Sequence, residues 1–526
     1  MIKRRDVLRL AAGGFTIGGL ALNASSAPAQ VLAQATAAPP AQAPIAANPF
    51  DFSVVLDAAR ALARKPFKAP AAGLPDPFNN LSYEQYVAIR SRPESRIWGG
   101  DNVGFQLEPL HRGFLFASPV LLNIVENGSA RRLTYRPGDF EFGKLNVAAN
   151  LADIGFSGFR VLKPRDSGPP EEVAVFQGAS FFRALANGQT FGVLARGLAI
   201  RTADSRGEEF PQFREIWIER PTIAANALVI HALLDSESAT GAFRFTLRPG
   251  DATIIDTECT VIPRVALDNF GLASMQGTFL HGPIYRRRTD DVRPGVGDFA
   301  GLRMLTGHGE WVWRPVANRE TLQVSSFIDE HPAGFGFIQP DRDFDRFQDD
   351  DQHWEMRPSL WIEPIGEWGA GSVSLVEIPS ESEVNQNVVA FWRPKAPLAP
   401  LSETAYAYRQ FWCWAAPNRP ALASVSKTRT GKVPGGTTAA AQRRRRFLVE
   451  FVGDIFGDPK LGDFITNLAV NPGTILSSRT FLSRQRKTFR VLFDVDPAAE
   501  PLSEMRLVLE SEGKPISETW LYRWTS

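Results

Sequence analysis

VLLNIV at residues 120–125, ENGS at 126–129 and RRLTY at 131–135 together decide the fold class. Two short runs rich in β-formers flank Asn127-Gly128, the residue types that best tolerate the left-handed backbone of a tight turn. The spacing predicts an antiparallel hairpin. Similar runs recur at 191–200, 213–219, 228–234, 242–248, 253–262, 311–313 and 322–328, with no long amphipathic helix between them. Parallel strands need such crossovers, so a βαβ architecture is excluded and an all-β chain with a large antiparallel β-sandwich is expected. The 12 Trp, 7 Tyr and 37 Phe would fill the space between its sheets.

Outward from this region the pattern changes on both sides. Upstream, Val55, Ala59 and Leu62 recur at helical spacing behind Asp51 and Ser53, predicting a helix to about Arg64. Ser82-Tyr83-Glu84-Gln85 has the form of a capping box and opens a second helix that ends before Pro93. Downstream, residues 415–421 contain Pro417 and Pro420 and read as a linker. Beyond them Phe447/Val449/Phe451, Phe489/Val491/Phe493/Val495 and Trp520/Tyr522/Trp524 alternate at period two, the pattern of a smaller immunoglobulin-like β-sandwich. The expected division is 49–414 for the large sandwich and 422–526 for the small one. Residues 431–446 (GKVPGGTTAAAQRRRR) read as a solvated basic loop of the kind that meets an acidic partner or lipid headgroups.

The start is of another kind. Lys3, Arg4, Arg5 and Arg9 precede the short apolar run 10–22, and Ala27-Pro28-Ala29 offers a small-x-small cleavage site. This is the form of a secretory signal, and the paired arginines match the twin-arginine pattern. The expectation is a signal peptide over 1–29, a flexible Ala/Pro/Gln-rich tether over 30–48, and a periplasmic protein with no stable membrane insertion after cleavage. Losing residues 1–29 takes the chain from +1 to about −2. With 58 Lys+Arg against 57 Asp+Glu, no global basic field invites nucleic acid. Two cysteines exclude a disulfide framework and a Cys-rich metal site.

Chemistry concentrates at residues 285–415, where eight of the twelve tryptophans lie, among them Trp311, Trp354 and Trp361. An exposed indole face stacks on the apolar face of a sugar ring, whereas alternating Trp on strands fills a core; the sequence leaves both readings open. Asp341-Arg342-Asp343-Phe344-Asp345 opens like a calcium loop but lacks its Gly and its closing Glu, so a solvated acidic loop is the reading and no metal or cofactor is expected. There is no G-x-S-x-G, Walker loop or H-E-x-x-H. Carboxylates remain, and Asp298, Glu377, Glu381 and Glu383 lie in the Trp-rich region; glycoside cleavage needs only two with separated pKa values.

Several motifs, in order along the chain, carry more than pattern. LSYEQY at 81–86, LHRGF at 110–114, GFSGFR at 155–160, GASFFR at 178–183, EEFPQFREIWIERP at 208–221, GHGEW at 307–311, RPSLW at 357–361 and NVVAFWRP at 387–394 resemble the periplasmic glucan biosynthesis proteins, the MdoG/OpgG/OpgD family. The twin-arginine start is most like the OpgD branch. The resemblance implies an N-terminal β-sandwich joined to an immunoglobulin-like domain, and a role in making or remodelling a β-1,2-linked glucan. It implies β-glucan as ligand and a membrane glucosyltransferase as partner. It also implies site residues: Asp298, before Gly301-Leu302, as the base-side carboxylate of an inverting glucanase or transglycosylase, and Glu383, three residues before the general-acid position in the stretch that begins Glu377-Ile378-Pro379. Arg293, Trp311, Trp354, Arg357 and Trp361 are the residues expected to bind substrate. At the family's general-acid Asp this chain has Gln386, which joins the binding set, because an amide cannot deliver a proton as a carboxylic acid does. An enzyme and a non-catalytic glucan-binding factor both remain open.

Overall fold

The computed structural model describes residues 48–222, 226–284, 290–417, 421–435 and 437–525. The expected signal peptide and all but the last residue of the expected tether lie outside these residues. Both predicted helices form. The helix Phe52–Ala63 is N-capped by Asp51, whose side chain accepts from the Ser53 N–H at 2.7 Å. It buries Val55, Ala59 and Ala63 against Trp217, Leu233, Ala242 and Ile262. The second helix, Tyr83–Val87, has the full capping box between Ser82 and Gln85 but is only five residues long. In the predicted hairpin, Leu121–Glu126 pairs with Ser129–Arg132, and Asn127 and Gly128 both take positive φ, 51° and 70°.

The molecule is all-β beyond these pieces. A 16-stranded and a 10-stranded sheet face each other across a core in which Phe159, Phe176, Phe182, Phe213, Phe243 and Phe245 stack with Met275, Trp392 and Trp412. Neighbouring strands are antiparallel except at two places, Leu121–Glu126 beside Gln212–Glu219 and Trp311–Pro315 beside Thr519–Thr525. The second of these matters for the whole. The expected break at 415–421 falls between the strands Thr404–Cys413 and Ser424–Lys432, but the large sheet does not stop there. It continues through Thr519–Thr525 and Leu502–Ser511 to Ile465–Asn471.

These strands form one layer of the smaller sandwich, and a four-stranded sheet of Ser424–Lys432, Arg445–Val452, Thr488–Asp496 and Thr474–Ser483 forms the other. Phe447, Val491, Phe493, Leu507 and Trp520 fill it, together with Trp313, Ile338 and Trp361 from the large sandwich. The buried Arg303–Glu518 pair at 2.7 Å crosses the junction. The stretch 431–446 is only partly the loop its composition suggests. It carries a short helix, Ala439–Arg443, and Arg444 and Arg446 pair with Asp496 and Asp494 at 2.9 and 2.7 Å. Cys259 and Cys413 are buried free thiols, and burial pushes both up to about 12. Among the described residues no helix is long and apolar enough to cross a membrane.

Candidate functional site

Tryptophan placement corrects one expectation. Trp354 and Trp361 are each 1% exposed, and Trp392 and Trp412 are fully buried. Trp311, half-buried, stacks on Trp361 with ring centroids 5.7 Å apart, in the core shared with the small sandwich. The strand Ser359–Ile365 explains why. Leu360 and Ile362 face the large core, and Trp361 faces the second one, so both sides of the strand are covered. An indole whose faces are covered cannot stack on a sugar; Trp311 and Trp361 lie apart from the other candidates. Glu377 is likewise structural: it is 1% exposed, pairs with Arg314 at 3.1 Å and accepts the Ala317 N–H at 2.6 Å.

The remaining candidates do come together, as a closed ring of contacts. Asp298 is buried where the backbone passes close: a Cβ on Gly277 would sit 2.8 Å from its Oδ2. Its Oδ1 accepts from Arg357 Nη1, and its Oδ2 accepts the Thr278 N–H at 2.6 Å. The Arg357 guanidinium lies 3.6 Å over the Trp354 ring, and Trp354 Nε1 donates to Asp349 Oδ2 at 2.8 Å. That oxygen also accepts from Arg293 Nη1 at 2.6 Å, while Arg293 Nη2 donates to Glu383 Oε2 at 2.7 Å. Thr278 closes the ring, since its Oγ1 donates to the carbonyls of Glu383 and Asn385, both at 3.1 Å.

Each acid of this ring faces an arginine, two arginines serving four carboxylates. Hydrogen bonds from Arg293 hold the Asp291 carboxyl far below the usual carboxylate range. Burial raises Asp349, but its bonds to Arg293 and Trp354 outweigh this and leave it lowered. Arg293 is raised by Asp291 foremost, then by Asp349 and Glu383 against the cost of burial. Asp291 and Asp349 are therefore ionised acceptors tied to a cation, which suits them to orient hydroxyl groups.

Gln386 faces elsewhere. It is 2% exposed, and its Oε1 accepts from Gln276 Nε2 at 2.9 Å. Gln276 also lines a cavity of about 470 Å³ with Phe116, Phe181, Phe210, Arg183 and Glu208. Phe116 and Phe210 are half-buried, so each leaves part of a ring open. Glu208 pairs with the buried Arg196 at 2.8 Å, and Arg183 with Glu172 at 3.0 Å. Glu209 accepts from Ser238 N and Oγ at 2.8 and 2.6 Å. Aromatic faces, paired charges and planar amides form a lining suited to a neutral, hydroxyl-rich ligand. None of these cavity residues was singled out from sequence as a site residue. The signal was present in EEFPQF at 208–213, where adjacent carboxylates, two Phe and a Gln fall within six residues.

Comparison with known proteins follows the same line. The family model described as "Periplasmic glucan biosynthesis protein, MdoG" matches residues 50–524. "Glucans biosynthesis protein G" of Vibrio cholerae is 43% identical over 480 residues, covering 90% of this chain and 87% of that protein. The protein of the same name from Rhodopseudomonas palustris is 42% identical over 487 residues, 92% and 95% of the two chains. That of Shewanella baltica is 43% identical over 478 residues, 90% and 87%. A solved structure, the Slr1438 protein of Synechocystis sp. PCC 6803, aligns with a TM-score of 0.14 at 9% identity, over 49% of this chain and 91% of its own, and adds nothing to the argument.

Proposed function

The chain belongs to the periplasmic glucan biosynthesis family MdoG, and from that premise we propose that it holds the β-1,2-linked glucan backbone in the Phe-lined cavity beside Gln386 and shapes it without cutting it there. The observation that carries this reading is the position of Gln386. The residue at the family's proton-donor position is an amide, bonded to the amide of Gln276, and Gln276 lines the cavity. Loss of a general acid costs a factor of about 10²–10⁴ in rate. The carboxylates across the ring do not replace it, because Asp298 and Glu383 are each engaged by an arginine. Binding in the cavity would present the chain of glucose units to a membrane glucosyltransferase, and the twin-arginine start would deliver the folded protein to the periplasm.

A second reading, a hydrolase or transglycosylase with Asp298 as base, is favoured by one observation. Thr278 bonds to both Asp298 and the 383–387 segment, so base and acid positions stand on one scaffold. Product analysis of the mature protein with linear β-1,2-glucan, run beside Gln386→Asp with calorimetric binding, separates the two. Binding without new reducing ends from the wild type, and release of products by Gln386→Asp, is the expected result. Glucan cleaved or rearranged by the wild type would establish the enzyme, and absence of binding by both proteins would remove the cavity from consideration.

A further inference from the structure

We propose that the strand Thr474–Ser483 is a dimerisation edge, on which a second copy of this chain pairs its own Thr474–Ser483 antiparallel about a twofold axis at Thr480. The inference does not depend on what the cavity holds. Every residue of this strand except Ser483 is exposed, including Ile475, Leu476, Phe481 and Leu482. Among the described residues it pairs with one neighbour only, Thr488–Asp496.

An open edge of this kind is a template for another strand, and proteins normally blunt it with charges, proline, shortness or cover. Three other edges among the described residues are treated in that way, whereas Ile465–Asn471, the end strand of the large sheet, is uncharged but shorter. Asn48–Pro49 is two residues long and ends in proline. Gln323–Glu330 carries Asp329 and Glu330, and its Val324 carbonyl accepts from Arg523. Ser424–Lys432, at the opposite side of the same small sheet, carries Lys427, Arg429 and Lys432. Thr474–Ser483 has no proline and a single charge, Arg479. Its bulge, between Ile475 and Ser477, twists only the start and leaves 477–483 in regular register.

Self-pairing about Thr480 suits the side chains. It sets Arg479 opposite Phe481 of the second copy on one face, where cation and ring attract. On the other face it sets Ser478 opposite Leu482 and Thr480 opposite Thr480. In this register Arg484 falls opposite Leu476, Arg486 opposite Thr474 and Lys487 opposite Gly473, so like charges do not meet. The product is a continuous sheet through both copies, with an isologous interface.

Two measurements on the full mature chain test this. Sedimentation equilibrium should find a concentration-dependent dimer. Phe481→Lys, which opposes Arg479 with a like charge twice over, should weaken it roughly tenfold, and Phe481→Glu should tighten it by a similar factor. Mild oxidation should cross-link Thr480→Cys to itself on the axis but form no disulfide in Ser478→Cys, whose thiols lie apart in the dimer, while Cys259 and Cys413 are buried. A wild type that sediments as a monomer throughout overturns the proposal. So does a dimer indifferent to both Phe481 changes, which would use another surface, or equal cross-linking of the two cysteine variants.

Discussion

Two regions meet at Gln276, and they are built on opposite terms. On the side of Asp298 each carboxylate of the ring is paired with an arginine within the protein. The Asp298–Arg357–Trp354–Asp349–Arg293–Glu383 ring is joined by its own contacts, and Asp298 is 1% exposed. On the cavity side charges are also paired, but at the wall, leaving open rings and amide groups to face a space of about 470 Å³. A closed ring stores stability and an open lining offers binding. The difference teaches that the acids and bases the sequence points to are tied into a frame, while the open lining is built from residues that a search for acids and bases passes over.

The largest effect that would sharpen this contrast is expected from Arg357→Ala. It leaves Asp298 as a buried, uncompensated carboxylate, and thermal unfolding should report a loss of about 3–5 kcal/mol. A loss below about 1 kcal/mol would mean that water reaches Asp298, and the picture of a closed ring would fail.

Next comes pH, which addresses the two sides separately. Behind the cavity wall His111 bonds to Tyr135 Oη and to the Arg112 carbonyl, and its own carbonyl accepts from Ser157, a lining residue. Burial depresses His111 to about 4. The unfolded chain therefore takes up the proton first, and stability should fall as pH drops from about 6.5 toward 4, by about 3 kcal/mol in all. In His111→Gln that slope should flatten. Asp291 and Asp349 are lowered too, but as acids, so their contribution is present at neutral pH and is lost only as pH falls through and below the usual carboxylate range. Hydrogen exchange followed against pH should loosen the cavity wall before the ring; the reverse order would break the comparison.

Smaller is the effect of Phe210→Ala, which removes a half-buried ring from the lining. Glucan affinity measured by calorimetry should weaken roughly tenfold, or about 1.4 kcal/mol, with little change in melting temperature. Unchanged affinity in a protein that still binds glucan would place the ligand outside the cavity. Smallest is Gln276→Leu, which removes the side-chain hydrogen bond from Gln276 to Gln386 and should cost about 1 kcal/mol in stability, read from denaturant unfolding.

Local features of this fold were legible in the sequence and features made by distant contact were not. The Asn127-Gly128 turn, the Asp51 cap and the Ser82/Gln85 box are written in neighbouring residues, and each forms. Of the residues named from sequence, the fold gathers Asp298, Glu383, Arg293, Arg357 and Trp354 into one ring, while Gln386 turns to Gln276. The reading of tryptophan as an exposed platform failed at Trp361, which is 1% exposed. Period two tells which face a side chain takes, not whether something covers that face, and here the small sandwich covers it. The cavity eluded the sequence for a related reason. Its lining joins 116, 181, 210 and 276 from separate strands and loops, and no spacing in the chain encodes that meeting.

The parallel pairing of Val312 and Trp313 with Thr519 and Trp520 has a consequence for how the molecule is made. The strand Trp311–Pro315 waits, with one edge open, for a neighbour some two hundred residues further along the chain. A ribosome emitting the sequence in order cannot deliver a finished large sandwich before it has delivered nearly all of the small one. Assembly is thus late and collective, and a chain stopped short of Thr519 should be left with a raw edge that invites aggregation.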